Sequence, residues 1–255
     1  MSTLPLATRA RRAAVPVVLC AGLTGLLAGC AEDPDKGTNG VGRLSAAAIE
    51  QKAQAAADAA KAVRLSGTLV SKGGTYKLNM RLKEDGAAGS VTTKNSTFEL
   101  LRVGEALFLK ADAGFWVHEA TAGGAAGPAD TEAAEKLQDK YVVVPQGDPA
   151  YKQLRGFTDM DLLLDGLLGL HGKAVKGDRN KIGGVRTVEV KGGQEGEGGT
   201  LDVSLDGTPY PVQFARGGGA GVVVLSEWDK DFPLAEPAKA QTVDYGKQLP
   251  KTKAD

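Results

Sequence analysis

The sequence predicts an α+β domain built on a single curved antiparallel sheet. Three observations support this prediction: a segment of strong helix formers comes first, short runs of alternating hydrophobicity follow it, and two helical stretches separate these runs from a second set. Strands grouped before and after helices, rather than alternating with them one by one, favour an antiparallel sheet with the helices on one side.

The first predicted helix spans residues 45–63 and reads SAAAIEQKAQAAADAAKAV. Alanine, glutamine, glutamate and lysine have high helix propensity, and Ser45 can cap the N-terminus through its side-chain oxygen. A thin apolar stripe follows the helical period and consists of Leu44, Ile49, Ala53, Ala56, Ala60 and Val63. Since alanine side chains are small, we expect this helix to lie close against a face of the sheet.

Five alternating runs come next, separated by turns that contain glycine or aspartate. They predict strands at residues 64–71, 75–86, 89–96, 97–105 and 106–119. The clearest alternation is in TYKLNMRLK, where Tyr76, Leu78 and Met80 share one face while lysine, asparagine and arginine share the other. One face of the sheet is therefore predicted to be apolar and the other solvated.

Two more helices are predicted in the middle of the chain, at 130–144 and 158–170. The earlier helix has acidic residues in its predicted first turn, which favours a helix N-terminus at that position. Thr158 or Asp159 can cap the N-terminus of the later helix. Strand signals then resume at residues 181–193, 199–217 and 219–232, which are joined by glycine-rich turns.

The helix predicted at 158–170 is the most leucine-rich segment of the domain. Asp161 and Asp165 lie one helical turn apart, so they are predicted to share a solvated edge. One hypothesis is that this helix is a lid, whose leucines face a cavity mouth or the membrane surface and whose Gly166 and Gly169 permit movement. The alternative is an ordinary buried helix.

The N-terminus has the parts of a bacterial export signal. Arg9, Arg11 and Arg12 precede a run of small apolar residues that ends in LAGC. LAGC resembles the lipobox of bacterial lipoproteins, which implies cleavage before Cys30 and acylation of its thiol, for example with palmitate. The alternative is an ordinary signal peptide in which Cys30 is incidental. The general and twin-arginine export routes both stay open.

These features divide the chain into a signal peptide at 1–29, a lipidated N-terminus and flexible tether at 30–43, and a folded domain at 44–255. The tether sequence AEDPDKGTNGVGR contains glycine, proline and charge without periodicity. A flexible chain of this length spans on the order of 20 Å. The domain is therefore expected to stay beside the extracytoplasmic face of the cell membrane.

Composition excludes several classes of function. The chain has 31 basic and 31 acidic residues, and removing the three signal arginines leaves 28 basic groups against 31 acidic ones, which gives no electrostatic footprint for nucleic acid. The two cysteines are Cys20, in the signal, and Cys30, so the folded domain is expected to have no disulfide and no thiolate ligand or nucleophile. Aromatic residues make up only 5% of the chain, which predicts a mostly aliphatic interior.

The sequence contains no recognisable set of catalytic or metal-ligating residues. His118 and His171 have no cysteine, glutamate or second histidine at metal-binding spacing, and no serine has the context of a known nucleophile. The chain is therefore predicted not to be an enzyme, with no catalytic residue, metal ligand or cofactor.

The order of elements resembles the LolA/LprG-like family of bacterial lipoprotein carriers and envelope lipoproteins. The resemblance rests on the lipobox, the lone N-terminal helix, GEALFLKADAGFW as a strand leading to a tryptophan, LDGTPYPVQF as a strand-turn-strand and VVVLSEWDKDFPLAEP as a closing strand. It covers residues 44–248. The membrane-anchored LprG type is the closer match, because soluble LolA carriers lack a lipid anchor. The resemblance implies that the sheet is a half-barrel with helices covering its concave face, and that a cavity between sheet and helices holds lipid or acyl groups.

We expect inward-facing apolar residues of the strands and helices to line that cavity. The candidates are Leu69, Leu78, Met80, Val91, Phe98, Leu100, Leu107, Leu109, Leu137, Tyr141, Leu163, Leu167, Val188, Val203 and Phe214. The alternative is a fully packed core, and periodicity alone does not decide between the two.

Two functions are consistent with these observations. The first is a membrane-anchored envelope lipoprotein that binds lipid or lipoglycan acyl chains and carries or presents them, with a transporter partner left open. The second is a non-enzymatic envelope sensor or protein-interaction module with a packed core.

Overall fold

A computed structural model of the chain describes residues 33–71, 74–121, 127–246 and 249. The predictions for the signal peptide and for acylation at Cys30 lie outside the described residues. The described sheet and helices all belong to one compact unit within residues 35–255.

The described part of the chain forms five α-helices and twelve strands. The helices are α1 (Ala46–Asp58), α2 (Ala113–Thr121), α3 (Pro128–Leu137), α4 (Pro149–Arg155) and α5 (Met160–Leu168). The first six strands are β1 (Ala62–Ser71), β2 (Gly74–Lys83), β3 (Gly86–Thr92), β4 (Thr97–Val103), β5 (Ala106–Ala111) and β6 (Tyr141–Val144). The others are β7 (Ala174–Ile182), β8 (Val185–Gly192), β9 (Thr200–Ser204), β10 (Pro211–Ala215), β11 (Gly221–Ser226) and β12 (Thr242–Val243).

All twelve described strands belong to one open, curved sheet in the order β12-β6-β5-β4-β3-β2-β1-β11-β10-β9-β8-β7. Two antiparallel meanders, β1 to β6 and β7 to β11, meet where β1 pairs with β11, and only the short β12 pairs in parallel, with β6. The predicted α+β class and single curved, mostly antiparallel sheet are therefore confirmed.

The junction between the two meanders depends on glycine. Gly67 on β1 and Gly221 on β11 both have positive φ. A Cβ at Gly67 would collide with the Val222 carbonyl oxygen, and one at Gly221 would collide with the Thr68 carbonyl oxygen. The β1–β11 ladder therefore tolerates no side chain at these two positions.

The sheet has an apolar face, called the inner face below, and a solvated outer face. Along β2, Leu78, Met80 and Leu82 are buried while Lys77 and Arg81 are exposed, so the predicted alternation is confirmed. The helices pack on the inner face. Buried side chains of both meanders and of all five described helices form one hydrophobic cluster.

Helix α1 lies close to β7, β8, β9 and β10, as the alanine stripe predicted. Ile49, Ala53 and Ala57 are the residues of α1 that are buried on this side. The Ser45 side chain caps the helix by accepting a hydrogen bond from the Ala48 backbone amide at 3.3 Å. The predicted end of this helix at Val63 is wrong. Val63 lies in β1 opposite Leu82, because pairing with β2 satisfies its backbone groups and suits its β-branched side chain.

Two other predicted boundaries are corrected. The strand predicted at 106–119 ends at Ala111, and α2 begins at once, with the Phe115 amide donating to Asp112 Oδ1 at 2.8 Å. The helix predicted at 130–144 ends at Leu137, and the four residues 141–144 form β6, which pairs with β5. Helix α4 and strand β7 were not predicted as separate elements.

The predicted flexible tether is wrong from Asp35 onward. The backbone amide of Asn39 donates to the Leu205 carbonyl at 2.8 Å, and the Arg186 guanidinium donates to the Gly37 carbonyl at 2.7 Å. Val41, in a short 3-10 helix, is 4% exposed. Residues 35–43 are therefore part of the domain, because their polar groups find partners on the β7–β9 side of the sheet.

The Asp35–Arg179 ion pair fixes the start of this segment. Nη2 of Arg179 lies 2.7 Å from both carboxylate oxygens of Asp35. Hydrogen bonding from Arg179 holds the pKa of the Asp35 carboxyl below its ordinary value of 3.8. A carboxyl group whose pKa is lowered by folding stabilises the fold fully at pH values above its unfolded-state pKa. This contribution disappears as the pH falls through the lower pKa of the folded state.

We therefore expect Asp35→Asn to lower the thermal unfolding midpoint at pH 7. The gap to the wild type should shrink toward zero as both proteins are acidified below pH 4. Asp178→Asn, at an exposed position of β7, is the control and should change the midpoint little. An Asp35→Asn deficit that persists unchanged at low pH would contradict the role given to the ion pair. Circular dichroism melting curves at several pH values make the measurement.

Candidate functional site

The candidate site is the apolar layer between the inner face of the sheet and the helices. The structure places fourteen of the predicted cavity residues in this layer, buried and in one contiguous cluster. They are Leu69, Leu78, Met80, Val91, Phe98, Leu100, Leu107, Leu109, Leu137, Leu163, Leu167, Val188, Val203 and Phe214. The layer is mostly aliphatic, as composition predicted.

Tyr141 is the exception, and its predicted place in the layer is wrong. It pairs with Lys110 in the β5–β6 ladder, and Lys110 Nζ lies 5.6 Å from the centre of its ring. Its ring borders a groove on the outer face together with Glu99 and Ser90. The error follows from the helix predicted over residues 130–144: in a strand, Tyr141 and Val142 point to opposite faces, and Val142 is the buried one.

Helix α5 contributes its apolar side to the layer. Met160, Leu163, Leu164, Leu167 and Leu168 are all buried. Asp161 and Asp165 are exposed, as predicted, and Asp159 caps the helix by accepting from the Leu162 amide at 3.2 Å. The leucines that the lid hypothesis placed at a cavity mouth or the membrane surface face the core in this conformation. This agrees with the alternative prediction that α5 is an ordinary buried helix.

The start of α5 is tied to the sheet by a buried arginine. Arg102, on the inward register of β4, is 4% exposed. Its Nε and Nη2 donate to the Thr158 carbonyl at 3.1 and 3.0 Å, and its Nη1 donates to the Gly104 carbonyl at 2.9 Å. A longer bond of 3.4 Å joins Nη2 to the Glu84 carbonyl. One side chain therefore links the residues before α5 to the β2–β3 and β4–β5 turns.

Sequence reasoning missed Arg102, although a signal was present. Phe98, Leu100 and Arg102 alternate along β4, so the pattern that predicts two inward apolar residues also predicts an inward arginine. A cation at such a position is costly unless its donors are bonded, and here they bind main-chain carbonyls of two turns and a helix connection.

Helix α4 is attached at the same end of the sheet. The Tyr151 hydroxyl donates to the Glu105 carbonyl at 2.9 Å, and Arg155 Nη1 lies 2.8 Å from Glu105 Oε2. The rings of Phe157, just after α4, and Tyr76, on β2, have centroids 5.8 Å apart. The α4–α5 segment is thus fixed to the turns of the first meander.

Two of the cavities that border the described residues lie mainly outside the apolar layer, and they reach it at Met160 and at Leu100. One, of about 500 Å³, is lined largely by charged residues at the α4–α5 end, including Glu84, Asp85, Arg102 and Asp159. The other, of about 270 Å³, is the outer-face groove beside Tyr141. In this conformation the fourteen side chains of the layer are each at most 9% exposed, so they leave little room for another molecule. A bound acyl chain would therefore require the layer to open.

Within the described ranges, no group of three or more histidine, cysteine, aspartate or glutamate side chains is arranged to hold a metal ion. His171 is exposed, and the side chain of His118 lies outside the described residues. No described helix has the length and apolar character needed to cross a bilayer.

An open, curved, mostly antiparallel sheet with a helical cover on one face is the fold of the LppX/LprG-type lipoproteins, and the chain has this fold. LprF from Mycobacterium bovis is similar over 76% of this chain and 97% of its own, with 18% identity and a TM-score of 0.51. The lipoprotein LppX from Mycobacterium tuberculosis is similar over 74% of this chain and 98% of its own, with 11% identity and a TM-score of 0.46. No family model and no curated protein matches the chain. The resemblance found in the sequence is thus confirmed at the level of the fold.

The burial of α5 gives a direct test. Leu167 is 4% exposed and Leu162 on the same helix is 59% exposed. Leu167→Asp should cost about 4 kcal/mol or more, because it places an unpaired carboxylate in the apolar layer. Leu162→Asp, the matched control, should change the free energy of unfolding by no more than about 0.5 kcal/mol. Denaturant unfolding of the two variants measures the difference, and equal effects would show that α5 does not pack as described.

Proposed function

We propose that the protein is a membrane-anchored envelope lipoprotein that binds lipid acyl chains between the inner face of its sheet and its helices, and carries or presents them. The observation that supports this proposal is the extent of the aliphatic layer, which reaches across both meanders and is covered by helices rather than by a second sheet. The fold shared with LprF supports it as well.

The chemistry of the layer suits a hydrocarbon. Its members are overwhelmingly leucine, valine and alanine, which offer dispersion contacts and no hydrogen bonds. Each buried methylene contributes about 0.8 kcal/mol, so a sixteen-carbon chain would gain on the order of 10 kcal/mol before the costs of ordering. Such a gain is large enough to offset separation of α5 from the inner face.

The attachments of α5 suggest how the layer opens. Its N-terminal end is tied through the Thr158 carbonyl to Arg102, whereas its C-terminal end stops at Gly169, which has an extended backbone. Under this proposal α5 pivots about the Arg102 tie, and Leu163 and Leu167 leave the inner face to admit an acyl chain. In this proposal α5 is a lid with an open and a closed state, and the conformation described here is the closed one.

Partners and location follow from the same proposal. Lipid or lipoglycan acyl chains are the ligands, and an acylated Cys30 holds the protein on the extracytoplasmic face of the membrane. A transporter partner would receive or supply the lipid. The protein acts without catalysis, metal or cofactor. The alternative function, an envelope sensor or interaction module, keeps the layer permanently closed.

Lipid binding is tested first on the protein as isolated. We expect mass spectrometry of the natively purified protein, extracted with organic solvent, to release acyl lipids in near-stoichiometric amount. A fluorescent fatty acyl probe should bind the delipidated protein. Protein that is repeatedly empty and binds no probe would overturn the proposal and favour the interaction module.

The opening of α5 is tested by the rate of probe binding. Leu167→Ala removes packing between α5 and the inner face, and a loss of about 2 kcal/mol or more in the closed state should speed probe association about tenfold. Leu162→Ala is the control, because Leu162 is exposed, and it should leave the rate unchanged. An equal rate for both variants would mean that the probe enters without movement of α5.

Anchoring is tested at Cys30. Cys30→Ser should abolish acylation and leave the protein in the soluble fraction of the envelope, whereas Cys20→Ser should not, because Cys20 lies within the predicted signal. Intact-mass measurement of the mature N-terminus and fractionation of cells make the comparison. An unmodified Cys30 thiol in the wild type would refute the anchor.

A further inference from the structure

We infer that Trp116 is a ligand-binding residue, whose indole N–H donates a hydrogen bond to the carbonyl oxygen of an ester-linked acyl chain. This inference rests on the proposed function and deepens it, since it names the chemical class of lipid that the apolar layer would select. The observation behind it is a polar group in the layer that has no partner.

Trp116 is held firmly in place. Helix α2 starts directly after β5, and its first turn is capped by Asp112 through the Phe115 amide. The Phe115 ring lies 5.4 Å from the ring of Phe98 on β4, measured between centroids, so this turn packs on the inner face. Trp116 is 6% exposed and belongs to the hydrophobic cluster.

The indole nitrogen of Trp116 is buried and has no hydrogen-bond partner among the described residues. Buried tryptophan N–H groups normally have an acceptor, because an unsatisfied donor in apolar surroundings is costly. The perpendicular ring of Phe115, with its centroid 5.1 Å away, offers at most a weak N–H···π contact.

Two other polar groups of the domain, Glu189 Oε1 and the indole nitrogen of Trp228, do have partners. Glu189 Oε1 also lacks a hydrogen bond of good geometry, yet Lys191 Nζ lies 2.9 Å from it as an ion-pair partner. The other tryptophan of the chain, Trp228, donates from Nε1 to the Pro211 carbonyl at 2.9 Å. The Trp116 donor is therefore available to an acceptor that arrives with a ligand.

The surroundings indicate which acceptor fits. The rings of Phe98 and Phe115 beside Trp116 are apolar, and the one lysine of β5, Lys110, lies over Tyr141 on the outer face. The buried cation on β4, Arg102, already donates to main-chain carbonyls at the α4–α5 end. A carboxylate beside Trp116 would therefore be buried without a free cation among these residues, which is costly. An ester carbonyl is a neutral acceptor joined directly to a hydrocarbon chain. An ether oxygen in the same place is a poorer acceptor, so the site should favour ester lipids over ether lipids.

The test compares two lipids that differ only in this linkage. Dipalmitoyl phosphatidylcholine and its dihexadecyl ether analogue compete with the fluorescent acyl probe for the delipidated protein. The wild type should prefer the ester about fivefold to tenfold, as expected for one hydrogen bond to a buried donor. In Trp116→Phe the ester-to-ether ratio should fall to about one. Trp228→Phe, whose indole already has a protein acceptor, is the matched control and should keep the wild-type ratio.

A spectroscopic readout covers the case in which Trp116→Phe does not fold. The chain has two tryptophans, so Trp228→Phe leaves a single indole ¹H–¹⁵N resonance. Adding the ester lipid should move this resonance downfield, and adding the ether lipid should not.

The outcomes separate the two proposals. A wild type that binds neither lipid refutes the proposed function. A wild type that binds both lipids equally, or a Trp116→Phe variant that keeps the ester preference, refutes the role of Trp116 while leaving lipid binding intact.

Discussion

The apolar inner face of a single, open, twelve-stranded sheet is the constraint on which the rest of the structure depends. No second sheet covers it in the described part of the chain, so helices must bury it. They do so in two ways. Helix α1 uses small residues such as Ala53 and Ala57 to approach the second meander closely. Over the first meander the cover uses larger side chains, among them Trp116 and Leu137.

The α4–α5 segment of this cover is attached at one end of the sheet. Arg102 is buried with main-chain carbonyls as partners, and the bonds of Tyr151 and Arg155 to Glu105 lie beside it. A buried cation bonded to turns and a helix connection resists displacement, because its removal would leave several carbonyls without a donor. A helical cover held in this way has a fixed end and an apolar remainder, which is a suitable arrangement for a layer that opens to a flexible hydrocarbon.

Packing and the proposed function are in tension in this domain. The side chains that would line a cavity are the ones that are buried against each other here, so hydrocarbon binding would exchange one set of aliphatic contacts for another. Such an exchange has little directional specificity, since dispersion contacts do not distinguish one chain from the next. The unpartnered indole N–H of Trp116 would add directional specificity, because a hydrogen bond has both a preferred geometry and a chemical preference.

Local periodicity determined much of this protein from the sequence alone: the α+β class, the inward set along β2, the alanine side of α1 and the leucine side of α5. Each of these depends on neighbours a few residues away. The tertiary structure decided the rest. Residues 141–144 became a strand because the edge of β5 offers them partners, which turned Tyr141 outward. Residues 35–43 were ordered by Arg179, Arg186 and Leu205. These outcomes depend on groups that are distant in sequence, and no local pattern records which of them the folded chain brings together.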